Sequence, residues 1–175
     1  MLTLEDLEHA TVHGETAKEA LSQAERRLAE LLETKKAIEQ KATTLVAAYV
    51  TLSVALVGAS AGIYREGHAV AKALPFALSA VTFVIGAVVL VAALRGRQYG
   101  NLGSTPDMWL VKGRIDGNDA SLARMRAYLV HHYANRIAVS INSNEAKHRL
   151  LNAGMILGMV GVGVFLIAII GFFAL

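Results

Sequence analysis

Residues 150–175 read LLNAGMILGMVGVGVFLIAIIGFFAL, 26 residues without one ionisable side chain. A helix needs about 20 such residues to cross the roughly 30 Å hydrocarbon layer of a bilayer. The apolar side chains point all round this helix rather than along one stripe, so it has no water-facing side. Lipid or other apolar helices must surround it. Two upstream runs have the same character: Ala42–Tyr64 (ATTLVAAYVTLSVALVGASAGIY) and Ala73–Leu94 (ALPFALSAVTFVIGAVVLVAAL). The chain is therefore predicted to be an all-α membrane protein with three transmembrane helices, whose long cytoplasmic extensions form a helical bundle or coiled coil.

The polar residues lie between these runs, in stretches long enough for helices but too short for an enzyme core of their own. Hydrophobic residues make up 54% of the 175 positions, above the soluble norm. The net charge of +3 is modest for a nucleic-acid binder, and no nucleic acid is expected as a partner. Without cysteine the chain has no disulfide, no Cys-based zinc site and no thiol nucleophile. The leading MLTLEDLEHA is acidic where a cleavable signal peptide is basic, so the first span is predicted to be an uncleaved anchor.

Residues 1–41 are rich in Ala, Leu, Glu, Lys and Gln and lack proline, which favours helix. An apolar seam at heptad spacing runs through Leu7, Ala10, Gly14, Ala17, Leu21, Ala24, Leu28, Leu31, Lys35 and Ile38. It predicts an amphipathic cytoplasmic helix that pairs with another helix of the same chain or of a second copy. No turn signal separates this helix from the first span at 42–64, so the two read as one long helix. Residues 65–72 form a short periplasmic loop, and the second span, 73–94, places Pro75 in its first turn.

Residues 95–149 form the second cytoplasmic segment. Thr105, Pro106 and Asp107 open a short helix to about Lys112, with Trp109 and Leu110 near the headgroups. Asp116, Gly117 and Asn118 make a turn, and Asp119 caps a helix with a buried stripe of Leu122, Met125, Leu129, Tyr133, Ile137 and Ile141. Nothing interrupts that helix before the third span, 150–175.

The first segment carries six basic and nine acidic residues and the middle one nine basic and four acidic, whereas the 65–72 loop has two basic residues and the C-terminus none. The positive-inside rule then predicts a cytoplasmic amino terminus and middle segment, with the carboxyl end outside the inner membrane.

Motifs for chemistry are sparse. There is no phosphate loop, zinc-protease helix or nucleophile elbow, and Asp116 to Asp119 lacks the calcium-loop ligand pattern. His131 and His132 are adjacent and face different sides of a helix, so neither a metal nor a cofactor is expected. Arg126 to His131, RAYLVH, resembles the arginine-x4-histidine motif of HEPN ribonucleases, which implies a phosphate-handling pair. Here the position after the arginine, usually polar in that family, is Ala127, and residues at i and i+5 share a helix face poorly.

A second pattern covers nearly the whole chain in layout. Glu39-Gln40-Lys41-Ala42, followed by Thr43, Thr44 and Leu45, resembles the acidic-x-Lys-Ala-x-x-Leu signature of small bacterial Pycsar system effectors. Their closing helix has asparagines before a lysine leading into the last span, matched by Asn142, Asn144, Lys147, Leu150 and Leu151. Glu39 stands where aspartate is usual, and no separate nucleotide-binding domain is visible. The resemblance implies a membrane-acting antiviral effector that assembles and compromises the inner membrane, triggered by a cyclic nucleotide or a soluble defence protein.

Two sets of residues follow as candidates. Glu39, Lys41, Asn142, Asn144, Lys147 and His148 lie just cytoplasmic of the first and third spans and are expected to form an interhelical polar cluster that sets helix register. Gly58 and Gly62, on a face with Thr51 and Ala55, and Gly154, Gly158 and Gly161 are expected to serve packing between spans, the last three against neighbouring subunits of a homo-oligomer. The reading from another class is a non-enzymatic membrane scaffold whose cytoplasmic helices bind a soluble partner, and the third is a membrane-tethered HEPN-like ribonuclease.

Overall fold

The computed structural model describes residues 13–65, 70–95 and 119–174. Three α-helices account for nearly all of them: α1 (Gly14–Arg65), α2 (Val70–Leu94) and α3 (Asp119–Ala174). No strand occurs among the described residues. All three helices are long and apolar enough to cross a membrane. The expected helix at Thr105–Lys112, with Trp109 and Leu110, and the seam positions Leu7 and Ala10 lie outside the described residues.

At 1.5 Å per residue, the 52 residues of α1 extend about 78 Å and the 56 of α3 about 84 Å. Each is more than twice the hydrocarbon thickness of about 30 Å, so each has a long portion beyond the lipid. The run of α1 from polar to apolar sequence is unbroken because the chain offers neither proline nor glycine between Glu15 and Val57. Glu15 sits in its first turn, where a negative charge meets the positive end of the helix. Threonine hydroxyls along α1 donate to the carbonyl one turn back, Thr43 to Glu39 at 2.9 Å, Thr44 to Gln40 at 3.0 Å and Thr51 to Ala47 at 3.0 Å. Polar side chains on the exposed face thereby satisfy themselves without water.

The connection between α1 and α2 is shorter than eight residues. Helix α1 continues through Arg65, and α2 begins at Val70, one turn before the expected start. Pro75 therefore falls in the second turn of α2.

The chain divides into two compact units, Met1–Lys35 with Arg97–Asn144, and Lys36–Gly96 with Glu145–Leu175. In the first, Leu28, Leu129 and Tyr133 form a buried cluster, with Leu21, Ala24 and Ile137 packed on it. These are the heptad seam of α1 and the apolar stripe of α3 in contact. Exposed ion pairs, Lys18 with Glu15 and Arg27 with Glu30 at 3.1 Å, line the outside of α1 in this unit and contribute little.

In the second unit, Ile38, Ala42, Tyr49 and Leu56 of α1 share a core with Phe76, Ala80, Phe83, Ala87 and Leu90 of α2 and Leu151 and Ala168 of α3. Along its uncharged stretches the outer surface is apolar too. Val54, Val57, Val88, Met159, Ile167 and Ile170 are all exposed. An apolar outer surface along these stretches, with hydroxyls turned inward or self-satisfied, is the arrangement that lipid favours and water disfavours.

Candidate functional site: polar contacts and glycine notches between the long helices

Lipid is as apolar as leucine, so inside a bilayer helices associate through close packing and interhelical hydrogen bonds rather than through the hydrophobic effect. The contacts that decide where α3 rests in the second unit are therefore its polar contacts and its glycine notches.

Lys147 of α3 is fully buried, and its ammonium donates to Oε1 of Glu39 on α1. The two partners differ in access to solvent: the lysine side chain is 0% exposed and the glutamate 32%. An ammonium so enclosed is tolerated only with a counter-charge, and removing one partner of such a pair typically costs about 3–5 kcal/mol. The pair lies just before Ala42 and Leu151, the first buried apolar residues of the two spans.

Deeper in the unit, α3 is held by its glycines. The Tyr49 hydroxyl donates to the carbonyl of Gly154 at 3.2 Å. A Cβ added at Gly158 would overlap that same hydroxyl, one at Gly154 would run into the Leu90 side chain, and one at Gly161 would stand 2.8 Å from Thr82 Oγ1. On the α2 side, a Cβ at Gly86 would come within 3.0 Å of the Tyr49 ring. Tyr49 is thus clasped between glycines of α2 and α3, and its ring tilts against Phe83 at 5.3 Å between centroids. Ser79, fully buried on α2, donates to the Gly161 carbonyl at 2.7 Å. Towards the far end, Phe76 meets Phe165 and Phe172 edge-on, and Lys72 lies 5.4 Å above the Phe172 ring.

The first unit carries its own polar contact. Asn144 of α3, buried, donates from Nδ2 to the Leu31 carbonyl of α1 at 2.9 Å. That carbonyl belongs to a helix interior and already serves its own ladder, so the amide exploits its second lone pair. Two buried serines on the same face, Ser140 and Ser143, have no hydrogen-bond partner for their hydroxyls among the described residues.

The six candidates of the polar cluster therefore separate. Glu39 and Lys147 pair directly in the second unit, and Asn144 binds α1 backbone in the first, while Lys41, Asn142 and His148 are exposed. The candidate glycines separate too. Gly154, Gly158 and Gly161 pack inside the chain, and Gly58 and Gly62 have nothing within 4 Å of an added Cβ. Sequence reasoning passed over Ser140, Ser143, Tyr49 and Ser79. Continuing the heptad line of α3 from Tyr133 through Ser140 and Lys147 to Gly154 would have found the first of these. Arg126 and His131 both lie half-buried on α3, and no group of three or more metal-ligating side chains occurs among the described residues.

The family model of the Pycsar effector protein domain matches residues 23–175. The chain belongs to that family. No curated protein and no solved structure matches it. The Pycsar effector domain so delimited takes in Glu39, Asn144, Lys147, the Tyr49 clasp and, among the described residues, the apolar spanning stretch of each of the three helices. A Pycsar effector domain carried on three such helices is a membrane-associated effector of antiviral defence, and its apolar surface is its contact with the bilayer.

Proposed function

We propose that this Pycsar effector is an oligomer of the bacterial inner membrane that permeabilises or depolarises the bilayer when triggered, and that it acts without catalysis. The observation that carries this reading is that the effector domain, residues 23–175, takes in all three stretches apolar enough to cross a membrane together with the helical portions that continue beyond them. The business end of the effector is then the bilayer-embedded bundle itself. The charge distribution supports a cytoplasmic amino terminus and middle segment and an external carboxyl end. The trigger, a cyclic nucleotide or a soluble defence protein, would act on the cytoplasmic helices, and Glu39, Lys147 and Asn144 would hold helix register until it does.

Association between copies has a small-residue face at its disposal among the described residues. Gly154, Gly158 and Gly161 are occupied internally, whereas Thr51, Ala55, Gly58 and Gly62 of α1 face outward, and two such faces can approach closely.

Expression in bacteria loaded with a membrane-potential dye tests the reading. Collapse of potential before any loss of RNA is the expected result. RNA loss that precedes it and disappears in Arg126→Ala/His131→Ala would point to the nuclease instead, and unchanged potential and growth under phage challenge would point to a scaffold.

A further inference from the structure

The contacts inside the second unit fix which residues of its three helices share a level. Ser60 donates to the Ala73 carbonyl, Ser53 to the Ala80 carbonyl, and the Tyr49 ring lies against Gly86. Each step back along α1 is matched by a step forward along α2, so Lys41 comes to the level of Arg95, the residue that follows α2. Leu90 meets Gly154, and the same antiparallel step carries Arg95 to the level of Arg149. Lys41, Arg95, His148 and Arg149 therefore ring one end of the unit, each within a helical turn of the apolar run of its own helix. All four are exposed, and none makes a hydrogen bond or ion pair among the described residues. Of the nearby acids, Glu39 is engaged by Lys147 and Glu145 stands a turn further from the apolar run. The other end differs. Its described bases are Arg65 and Lys72, and Lys72 lies over the Phe172 ring.

One helical turn is about 5.4 Å, roughly the depth of the headgroup layer on each side of the hydrocarbon, so the ring stands where lipid phosphates stand. Anchoring a single helix takes one base, which water alone can satisfy. Bases from three helices at one level offer more, because the phosphate of one lipid can be shared by two helices, and an arginine guanidinium can hold it with two parallel bonds. We propose that Lys41, Arg95, His148 and Arg149 form a collar that binds the headgroups of anionic phospholipids, and that these lipids tie α1, α2 and α3 together at that end. The collar rests on the chain's contact with the bilayer and is independent of what the effector does to that bilayer.

Mass spectrometry of the intact full chain in detergent, titrated with phosphatidylglycerol or with phosphatidylcholine of the same acyl chains, tests the collar without reference to activity. Phosphatidylglycerol should stay bound in preference to phosphatidylcholine. Each of Lys41→Gln, Arg95→Gln and Arg149→Gln should weaken its binding about fivefold, and the triple variant should abolish the preference. Arg95→Lys/Arg149→Lys keeps the charges and should retain the preference, whereas Arg65→Gln, at the other end, should change nothing. Added phosphatidylglycerol should also raise the thermal unfolding midpoint of the unaltered chain and not that of the triple variant. Should the triple variant not fold, the three single variants decide. Equal retention of the two lipids, or an equal loss from Arg65→Gln and the collar variants, overturns the proposal. So does inorganic phosphate that, at the same concentration, raises the midpoint as much as the lipid does.

Discussion

Tyr49 donates its hydroxyl hydrogen to the Gly154 carbonyl at 3.2 Å, and the same hydroxyl fills the space a side chain at Gly158 would need. One tyrosine on α1 thereby reads two positions of α3 a helical turn apart. Gly158→Ala is expected to destabilise the bundle by about 1–3 kcal/mol, because the methyl group forces either the ring or α3 to move. Gly163→Ala, where nothing lies within 4 Å, is the matched control and should leave thermal stability in detergent unchanged.

Removing the hydroxyls tests the bonds apart from the packing. Tyr49→Phe and Ser79→Ala each delete one hydrogen bond to an α3 carbonyl, and each should cost roughly 0.6 kcal/mol and not more than about 1.7. Both variants should remain folded and inserted, as judged by helical content and by resistance to unfolding in mixed micelles.

Asn144 and Asn142 are two residues apart and differ in environment. Asn144→Ala loses the bond to the Leu31 carbonyl and should cost about 0.5–1.5 kcal/mol, while exposed Asn142→Ala should fall within about ±0.5. A comparison of unfolding midpoints separates the two.

The buried serines reverse the usual direction. Because the Ser140 and Ser143 hydroxyls have no hydrogen-bond partner among the described residues, Ser140→Ala/Ser143→Ala should raise stability, by about 1 kcal/mol or more for the pair. Leu28→Ala, in the cluster with Leu129 and Tyr133, should lower it by about 2–5 kcal/mol. Denaturant midpoints check both.

Much of this arrangement is legible in residue order, and the rest is lost for identifiable reasons. Long uncharged runs betray the three helices of spanning length because lipid admits little else, and the heptad line from Ala17 to Ile38 is buried in the structure except at half-exposed Leu21, Ala24 and Lys35. Charge beside a span marked Glu39 and Lys147, yet Lys41 and His148 carry the same mark and point outward, since rotation about the helix decides and residue type does not. Glycine stripes are equally silent about partners: Gly58 and Gly62 look like Gly154 and Gly158 on paper, and only the presence of Tyr49 and Leu90 opposite tells them apart. Serine signals neither burial nor exposure, which is why Ser140 and Ser143 escaped notice.

The middle of the bundle is occupied by Tyr49, Phe83 and Leu90, all buried. Among the described residues these side chains fill the centre of the second unit, so an ion there would meet aromatic rings and leucine. On the oligomeric reading, a leak is expected between copies or from a copy that has come apart. In reconstituted vesicles its rate should therefore climb more steeply than in proportion to the protein-to-lipid ratio.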